Sequence, residues 1–324
     1  MDLSVIIVNW NSEAYLVGCL SSIQENTHDI SYEIIVVDNA SPAGGIDEVC
    51  AANPAVKLIK SSDNVGFAKA NNLGFQHAIG KYVLLLNPDT KLIGPAVNEL
   101  LESARSISDL GIIGGKLVDP DLSVQTTSIQ KFPTILNQIT DIELLRRRWP
   151  RCRLWQIDPL FDVSQRVTSV EVISGACMLL PRDVYARVGG FTEDYFMYAE
   201  DIDLNRKVAH IGLARYYEPA AIIIHYGGTS SKQQKVSQWA TIMKYRAMWQ
   251  YYIHNYSYVY AWTYRVAMLT SATVRLFLLA VAFPFTAMQH KGVKVRGIAA
   301  KWSAVLRWAI GCDNLAPQGV KKAV

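Results

Sequence analysis

No two of the five cysteines, Cys19, Cys50, Cys152, Cys177 and Cys312, are spaced C-x-x-C, and their number is odd. That argues against a disulfide framework and a structural zinc site, and a reducing compartment is expected. Glycine-rich phosphate loops are missing too. The stretch "NWNSEAYLVG" stands where G-x-G-x-x-G would follow a first strand, and G-x-x-x-x-G-K-[ST] occurs nowhere. Dinucleotide enzymes and P-loop kinases are therefore disfavoured, and the absence of G-x-S-x-G and H-E-x-x-H disfavours two hydrolase classes. The opening "MDLSVIIVNWN" has no basic segment before its apolar run, so it reads as a strand and not a signal peptide, and a cytoplasmic location is expected. Acids nearly vanish from the C-terminal part. Lys232 to Val324 holds 13 Lys plus Arg against Asp313 alone, or +12, whereas the preceding 231 residues hold 19 bases and 27 acids, or −8. An acidic body and a basic tail suited to polyanions are implied.

What is present points to an α/β core, since half of the 324 residues are hydrophobic. Ser4–Val8, Glu33–Val37, Val56–Lys60, Tyr82–Leu86, Gly111–Gly114, Val172–Leu180 and Ala221–His225 are short runs rich in Val and Ile and predict strands. Leu16, Cys19, Leu20 and Ile23 recur at helical spacing behind Asn11 and Ser12, and Phe67–Ile79 repeats that pattern before the fourth run. Strand, helix, strand predicts a Rossmann-like, mainly parallel sheet flanked by helices. Ligands of such sheets sit at the carboxyl ends of the strands. Polar residues gather there: Asn9 and Asn11, Asp38 and Asn39, Asn87 and Asp89. Asn and Asp also make ordinary turns, but three strand ends in succession favour a nucleotide site.

A diphosphate without a glycine cradle needs another source of positive charge. Asp89 could hold Mg²⁺ or Mn²⁺, since such ions need one or two carboxylates when phosphates and water complete the shell. Pro88 fixes its own φ and biases Asn87 toward an extended conformation, which stiffens the tip. A second cluster, "GGFTEDYFMYAEDIDLNRK", predicts a helix beginning near Glu200, with Glu200 and Asp201 in its first turn and Asp203 able to pair with Arg206. Capping alone would explain an isolated acidic helix start. Four acids among aromatic residues favour a chemical role. His225 ends an apolar strand before "YGGTSS", where it could serve as a metal ligand and the loop could meet phosphate oxygens.

The tail differs in kind. Met248–Tyr264 contains eight Tyr and Trp in seventeen residues, a composition favoured at membrane interfaces. Val266–Met288 is 23 mostly apolar residues with Arg275 near the middle and Pro284 near the end. A central Arg costs about 2.5 to 3.5 kcal/mol in a span, so helices lying on the membrane are expected. A helical subdomain or a homodimer interface is the plainer alternative. Bases including Lys291, Lys294, Arg296, Lys301 and Arg307, with "RRRWPRCR" at Arg146–Arg153 and the terminal "KKAV", would favour an anionic membrane surface. No role for nucleic acid is expected, because the acidic body would go unused.

Seven segments occur in order: "SVIIVNWNS", "IIVVDNAS", "NVGFAKANNLG", "LLLNPDT", "SGACMLLPR", "GGFTEDYFMYAEDIDLNRK" and "HYGGTSS". Together they resemble family-2 glycosyltransferases of the GT-A fold, and within them bacterial rhamnosyltransferases of cell-wall polysaccharide and O-antigen biosynthesis. The resemblance implies a catalytic domain over 1–231, while the composition of 232–324 predicts a membrane-associated helical region there. The resemblance also implies inverting transfer from a nucleotide-sugar donor, dTDP-rhamnose by likeness, to a lipid-linked glycan acceptor on the cytoplasmic face of the inner membrane. A UDP-galactose, UDP-galactofuranose or UDP-GlcNAc donor is the alternative, and a sugar nucleotidyltransferase the second alternative. By motif position the nucleotide would meet Val8, Asn9, Asp38 and Asn39, then Asn64, Gly66, Phe67, Asn71 and Asn72, then Asn87, Pro88 and Asp89. Asp89 and His225 would bind the metal. Asp201 would be the general base, with Glu200 the second choice. Many relatives carry Asp-x-Asp where this chain has Asn87-Pro88-Asp89, which removes one anionic ligand.

Overall fold

The computed structural model describes residues 1–140, 145, 148–149, 152, 154–156, 165–227, 238–287 and 292–312. Among the described residues eleven strands run in chain order. They are β1 (Leu3–Asn9), β2 (Tyr32–Asp38), β3 (Val56–Lys60), β4 (Tyr82–Leu86), β5 (Thr90–Ile93), β6 (Leu110–Val118), β7 (Ile129–Gln130), β8 (Thr168–Val170), β9 (Val172–Ile173), β10 (Cys177–Pro181) and β11 (Ala214–His225). Ten helices among the described residues accompany them. α1 (Glu13–Asn26), α2 (Ile46–Ala51), α3 (Phe67–Phe75) and α4 (Ala96–Ser106) belong to the first half. α5 (Ile135–Thr140), α6 (Arg182–Arg187), α7 (Glu200–His210), α8 (Gln238–Asn255), α9 (Tyr258–Ala287) and α10 (Gly292–Ala309) follow.

The main sheet has the order β3-β2-β1-β4-β10-β6-β11-β5, with β8 on β11. β1 to β4 are mutually parallel, so the ends of β1, β2 and β4 open on one edge. The other half is mixed, with β10 antiparallel to both β4 and β6. Apolar runs dominate the parallel half because both faces are covered. Alternate residues go to opposite sides: Val5 and Ile7 pack with α1 and α4, while Ile6 and Val8 pack with α3.

Two strands differ from the sequence pattern. The expected Val172–Leu180 strand is broken at Ser174–Ala176, which turns toward the ligand edge between β9 and β10. β11 begins at Ala214, earlier than its apolar run, and Glu218 to Ile222 forms an irregularity around Pro219. β5 has no apolar run to announce it. It pairs antiparallel with β11, with Thr90 opposite His225.

The C-terminal helices share a hydrophobic cluster with the body, in which Tyr195, Ala199 and Ile202 join residues of α8, α9 and α10. This changes the meaning of the aromatic run. Tyr251, Tyr252 and Tyr264 are fully buried in that cluster, so they form protein core and not an interfacial belt. Tyr256, Tyr258 and Trp262 remain exposed. Among the described residues one helix, Tyr258–Val281, is long and apolar enough to cross a membrane, with mean hydropathy 1.4. Arg275 does not face outward from it. Its guanidinium donates to the Ile139 carbonyl at 2.6 Å and lies over the Trp302 ring at 4.1 Å. Most of "RRRWPRCR", the loop from residue 228 and the terminal "KKAV" lie outside the described residues.

Candidate active site

A cavity of about 470 Å³ opens at the carboxyl ends of the strands. Its walls come from Val8 near the end of β1 and Trp10 after it, Asn39 after β2, the Asn64–Phe67 segment and the Asn87–Asp89 tip. Ser174–Ala176, Phe196–Tyr198, Glu200, Asp201 and His225 complete it, with Trp239 from α8. Asp89 and Asp201 therefore meet in one cavity although 112 positions separate them in the chain.

On the side of β1 to β3, Asn39 organises the wall. Its amide donates to Asn64 Oδ1 at 2.9 Å and to the Gly66 carbonyl at 3.3 Å, and its Oδ1 accepts the Val65 N–H at 2.9 Å. Gly66 has φ +85°, and a Cβ there would run into the Phe196 carbonyl. That carbonyl accepts the Phe67 N–H at 3.0 Å, so the bare glycine lets the Phe196–Tyr198 segment close on the nucleotide side. Asn9 and Asp38 lie just behind the lining. Asn9 Nδ2 donates to Glu13, Ser41 and Asp38, and Ser41 Oγ donates to Asp38 Oδ1 at 2.5 Å.

Asn71 and Asn72 depart from the expected placement, for they do not line the cavity. Asn71 is buried and donates to the Phe67 carbonyl one turn back. Asn72 accepts from Tyr185 Oη at 2.7 Å and from the Phe191 N–H, and it donates to the Phe191 carbonyl. The Asn72 amide thus holds α3 to the Tyr185 and Phe191 segment, while the Asn71 amide is engaged within α3.

The tip expected to hold a metal is built by the β5–β11 ladder. Tyr226 N–H donates to the Asp89 carbonyl at 2.9 Å, and His225 Nε2 lies 3.4 Å from Asp89 Oδ1. Two donors at that spacing can both lie about 2.1 Å from one ion. A carboxylate oxygen beside an imidazole nitrogen suits Mn²⁺. No cluster of three or more His, Cys, Asp or Glu that could hold a metal occurs among the described residues, so the remaining positions would fall to diphosphate oxygens and water. Behind the imidazole stands Gln125, which sequence reasoning missed. Its Oε1 is 3.0 Å from His225 Nδ1, and its Nε2 donates to the His225 carbonyl at 2.6 Å and to Asp119 Oδ1 at 2.8 Å.

Across the cavity, α7 starts after two residues with left-handed backbone, Tyr198 (φ +74°) and Ala199 (φ +63°). Such residues cost on the order of 1–3 kcal/mol each, and here they swing the aromatic segment inward as the helix begins. Asp201 Oδ2 accepts the Gly175 N–H at 2.9 Å and Oδ1 the Ile202 N–H at 2.8 Å. Burial pushes the Asp201 carboxyl up, and those two N–H groups oppose the rise. Glu200 is buried, and its Oε2 has no hydrogen-bond partner among the described residues. Burial, followed by the Asp201 charge, pushes it up to about 8.

The other acids of that segment serve structure. Asp203 accepts from Thr192, Tyr195 and Asn255, and Asp194 pairs with His254 at 3.1 Å. Asp203 does not take Arg206. Lys207 approaches it at 4.0 Å, while the Arg206 guanidinium lies over the Phe132 and Tyr256 rings. Trp239 was also missed by motif reasoning. Its ring stands edge-on to Phe196, and its indole N–H is buried without a partner among the described residues.

Comparison with known proteins places this geometry. The family model described as "Glycosyl transferase family 2" matches residues 4–188. An N-acetylglucosaminyl-diphospho-decaprenol L-rhamnosyltransferase from Mycobacterium tuberculosis is 28% identical over 255 residues, covering 74% of this chain and 80% of the relative. The rhamnosyltransferase WbbL of Escherichia coli is 28% identical over 234 residues, covering 68% and 82%. Among solved structures, a mannosyltransferase from Pyrobaculum calidifontis in complex with GDP-Man and Mn²⁺ superposes with a TM-score of 0.57 at 16% identity, covering 96% of this chain and 86% of that one. That likeness is one of fold.

Proposed function

The chain belongs to glycosyl transferase family 2 and is a glycosyltransferase of the GT-A fold, and from that premise we propose an inverting rhamnosyltransferase acting on a lipid-linked glycan. The observation that carries the reading is the meeting of Asp201 with the Asp89–His225 pair in one cavity. The names of the rhamnosyltransferase relatives support rhamnose as the sugar and a polyprenyl-diphosphate-linked glycan as the acceptor. On this reading dTDP-rhamnose is the donor, with its base near Asp38 and Asn39 and its diphosphate at Asp89.

A divalent cation held by Asp89 and His225 would take up the charge that develops on the departing diphosphate. The chain's own groups do the rest. Asp201 stays the anion of the pair because two backbone N–H groups stabilise it, whereas Glu200 retains its proton. Asp201 accepts the acceptor hydroxyl's proton as that oxygen attacks the anomeric carbon, and one displacement inverts the centre. Phe196, Tyr198 and Trp239 wall the cavity near Asp201 with rings suited to the apolar face of an acceptor sugar.

The helical region supports membrane docking from the cytoplasmic side. Val259, Trp262, Val266, Val274, Phe277 and Leu278 form an exposed stripe on α9, and α10 adds exposed Arg296, Lys301 and Arg307. We favour a peripheral arrangement because the other face of α9 is packed on α8, α10 and α5.

Two substitutions test the division of labour. Asp201→Asn is expected to lower kcat about 10²- to 10⁴-fold with donor affinity nearly unchanged. Asp89→Ala is expected to weaken donor binding in Mn²⁺ as read by calorimetry. Equal loss of binding and turnover in both variants would remove the assignment.

A further inference from the structure

Gln125 belongs to none of the motifs and does not line the cavity. It lies in the segment after β6 and reaches β11, 100 positions away, with two contacts to His225, while a third from the same amide goes to Asp119. Those contacts decide which way the amide points. Nε2 faces the His225 carbonyl and the Asp119 carboxylate, both acceptors, so a flipped amide would set oxygen against oxygen twice. Oε1 must then face His225 Nδ1, and that ring nitrogen must carry a hydrogen.

The consequence falls on the other ring nitrogen. With hydrogen on Nδ1, the neutral imidazole has its lone pair on Nε2, 3.4 Å from Asp89 Oδ1 and 3.5 Å from Asn87 Nδ2. Asn87 can donate toward that lone pair, as an Asp at this position could not. A lone pair and a carboxylate oxygen facing each other are two acceptors, an arrangement that a cation between them satisfies.

We propose that Gln125 is a positioning residue that holds His225 in the Nδ1–H tautomer, so that Nε2 presents its lone pair beside Asp89 as the second protein ligand of the divalent cation. This rests on the metal role given above to Asp89 and His225. Groups that orient a ligating histidine commonly change metal affinity by about 10- to 100-fold when removed.

The experiment uses the full chain and two readouts, neither of them turnover. ¹⁵N-histidine NMR of the metal-free protein reports which ring nitrogen of His225 is protonated, with His225→Ala giving the assignment. Calorimetry with Mn²⁺, alone and with UDP, GDP or dTDP, reports affinity. Wild type is expected to show Nδ1–H. Gln125→Leu is expected to lose that preference and to bind Mn²⁺ about 10- to 100-fold more weakly. Asp119→Ala removes the contact to the loop but leaves Gln125 Oε1 on His225 Nδ1 and Nε2 on the His225 carbonyl, and is expected to keep Mn²⁺ affinity near that of wild type. Nε2–H in wild type, or unchanged Mn²⁺ affinity in Gln125→Leu, would overturn the proposal. An equal loss of affinity in Asp119→Ala assigns Gln125 to loop anchoring and overturns it as well. If His225→Ala itself leaves Mn²⁺ binding intact, or wild type binds none, the metal reading fails first; loss there without loss in Gln125→Leu removes only the role of Gln125.

Discussion

Neighbouring carboxyls at 200 and 201 have different surroundings, and that difference assigns their work. Asp201 receives two backbone N–H groups, whereas Glu200 is buried and pushed up to about 8. Those two N–H groups favour placing negative charge on Asp201 and leave the proton to Glu200, the group less able to carry charge. A stability consequence follows with a definite sign. Glu200 binds its proton more tightly folded than unfolded, since its usual value is 4.5. Its stabilising contribution is complete below about 4.5 and is lost as pH rises to about 8. Glu200→Gln is therefore expected to flatten the fall in stability across that window, as read by urea unfolding at a series of pH values. An unchanged slope would show that Glu200 ionises freely. Sequence reasoning reached Asp89, Asp201 and His225 because each stands where a strand or helix meets the ligand edge. It overreached at Asn72, whose amide is occupied by Tyr185 and Phe191, because nothing local reveals a partner more than 100 positions away. Gln125 was missed for the same reason.

Strands and helices set how those side chains meet. The buried parallel strands were legible because both faces demand apolar residues, and α7 was legible from its acidic first turn. β5 was not, since "TKLI" alternates over only four residues, yet its ladder with β11 brings His225 to Asp89. The break at Ser174–Ala176 was hidden inside an apolar run. It is needed because Gly175 N–H must reach Asp201, and a Cβ on Gly175 would come to 3.0 Å from Asp201 Cβ. Contact between α7 and α8 also escaped the sequence pattern. Asp203 of α7 accepts Asn255 Nδ2 of α8 at 2.6 Å, so the helix that carries Glu200 and Asp201 shares a buried joint with the C-terminal helices. Hydrogen bonds to charged groups contribute about 1.5–3 kcal/mol. Asn255→Ala is expected to cost stability in that range, measured by urea unfolding, while donor affinity stays near that of wild type. A loss below about 0.5 kcal/mol would mean that the joint is dispensable.

At the scale of the whole molecule, the division of charge and the division of surface coincide. The tail carries +12 against −8 for the body, and the same helices expose the apolar stripe of α9. Composition alone singled out the helical region as the one to face a membrane but drew its detail from residues that the structure buries. Tyr251, Tyr252 and Tyr264 turn inward to form core, and the outward apolar residues are Val259, Trp262, Val266, Val274, Phe277 and Leu278. Arg275, which weighed against a span, is satisfied by Ile139 and Trp302 on the protein side. The case for lying on the surface now rests on packing, because one face of α9 is occupied along most of its length. A lipid surface would then meet both an apolar stripe, worth about 25 cal/mol per Å² buried, and basic side chains, worth about 1 kcal/mol each near anionic headgroups. The two contributions separate experimentally, because salt screens the second and leaves the first. Flotation of the full chain with phosphatidylserine-containing vesicles is expected to weaken in high salt without disappearing. Phe277→Ser combined with Leu278→Ser is expected to make the remaining association largely salt-sensitive, with Mn²⁺ affinity unaltered. Association that ignores both salt and these substitutions would place the docking surface elsewhere on the molecule.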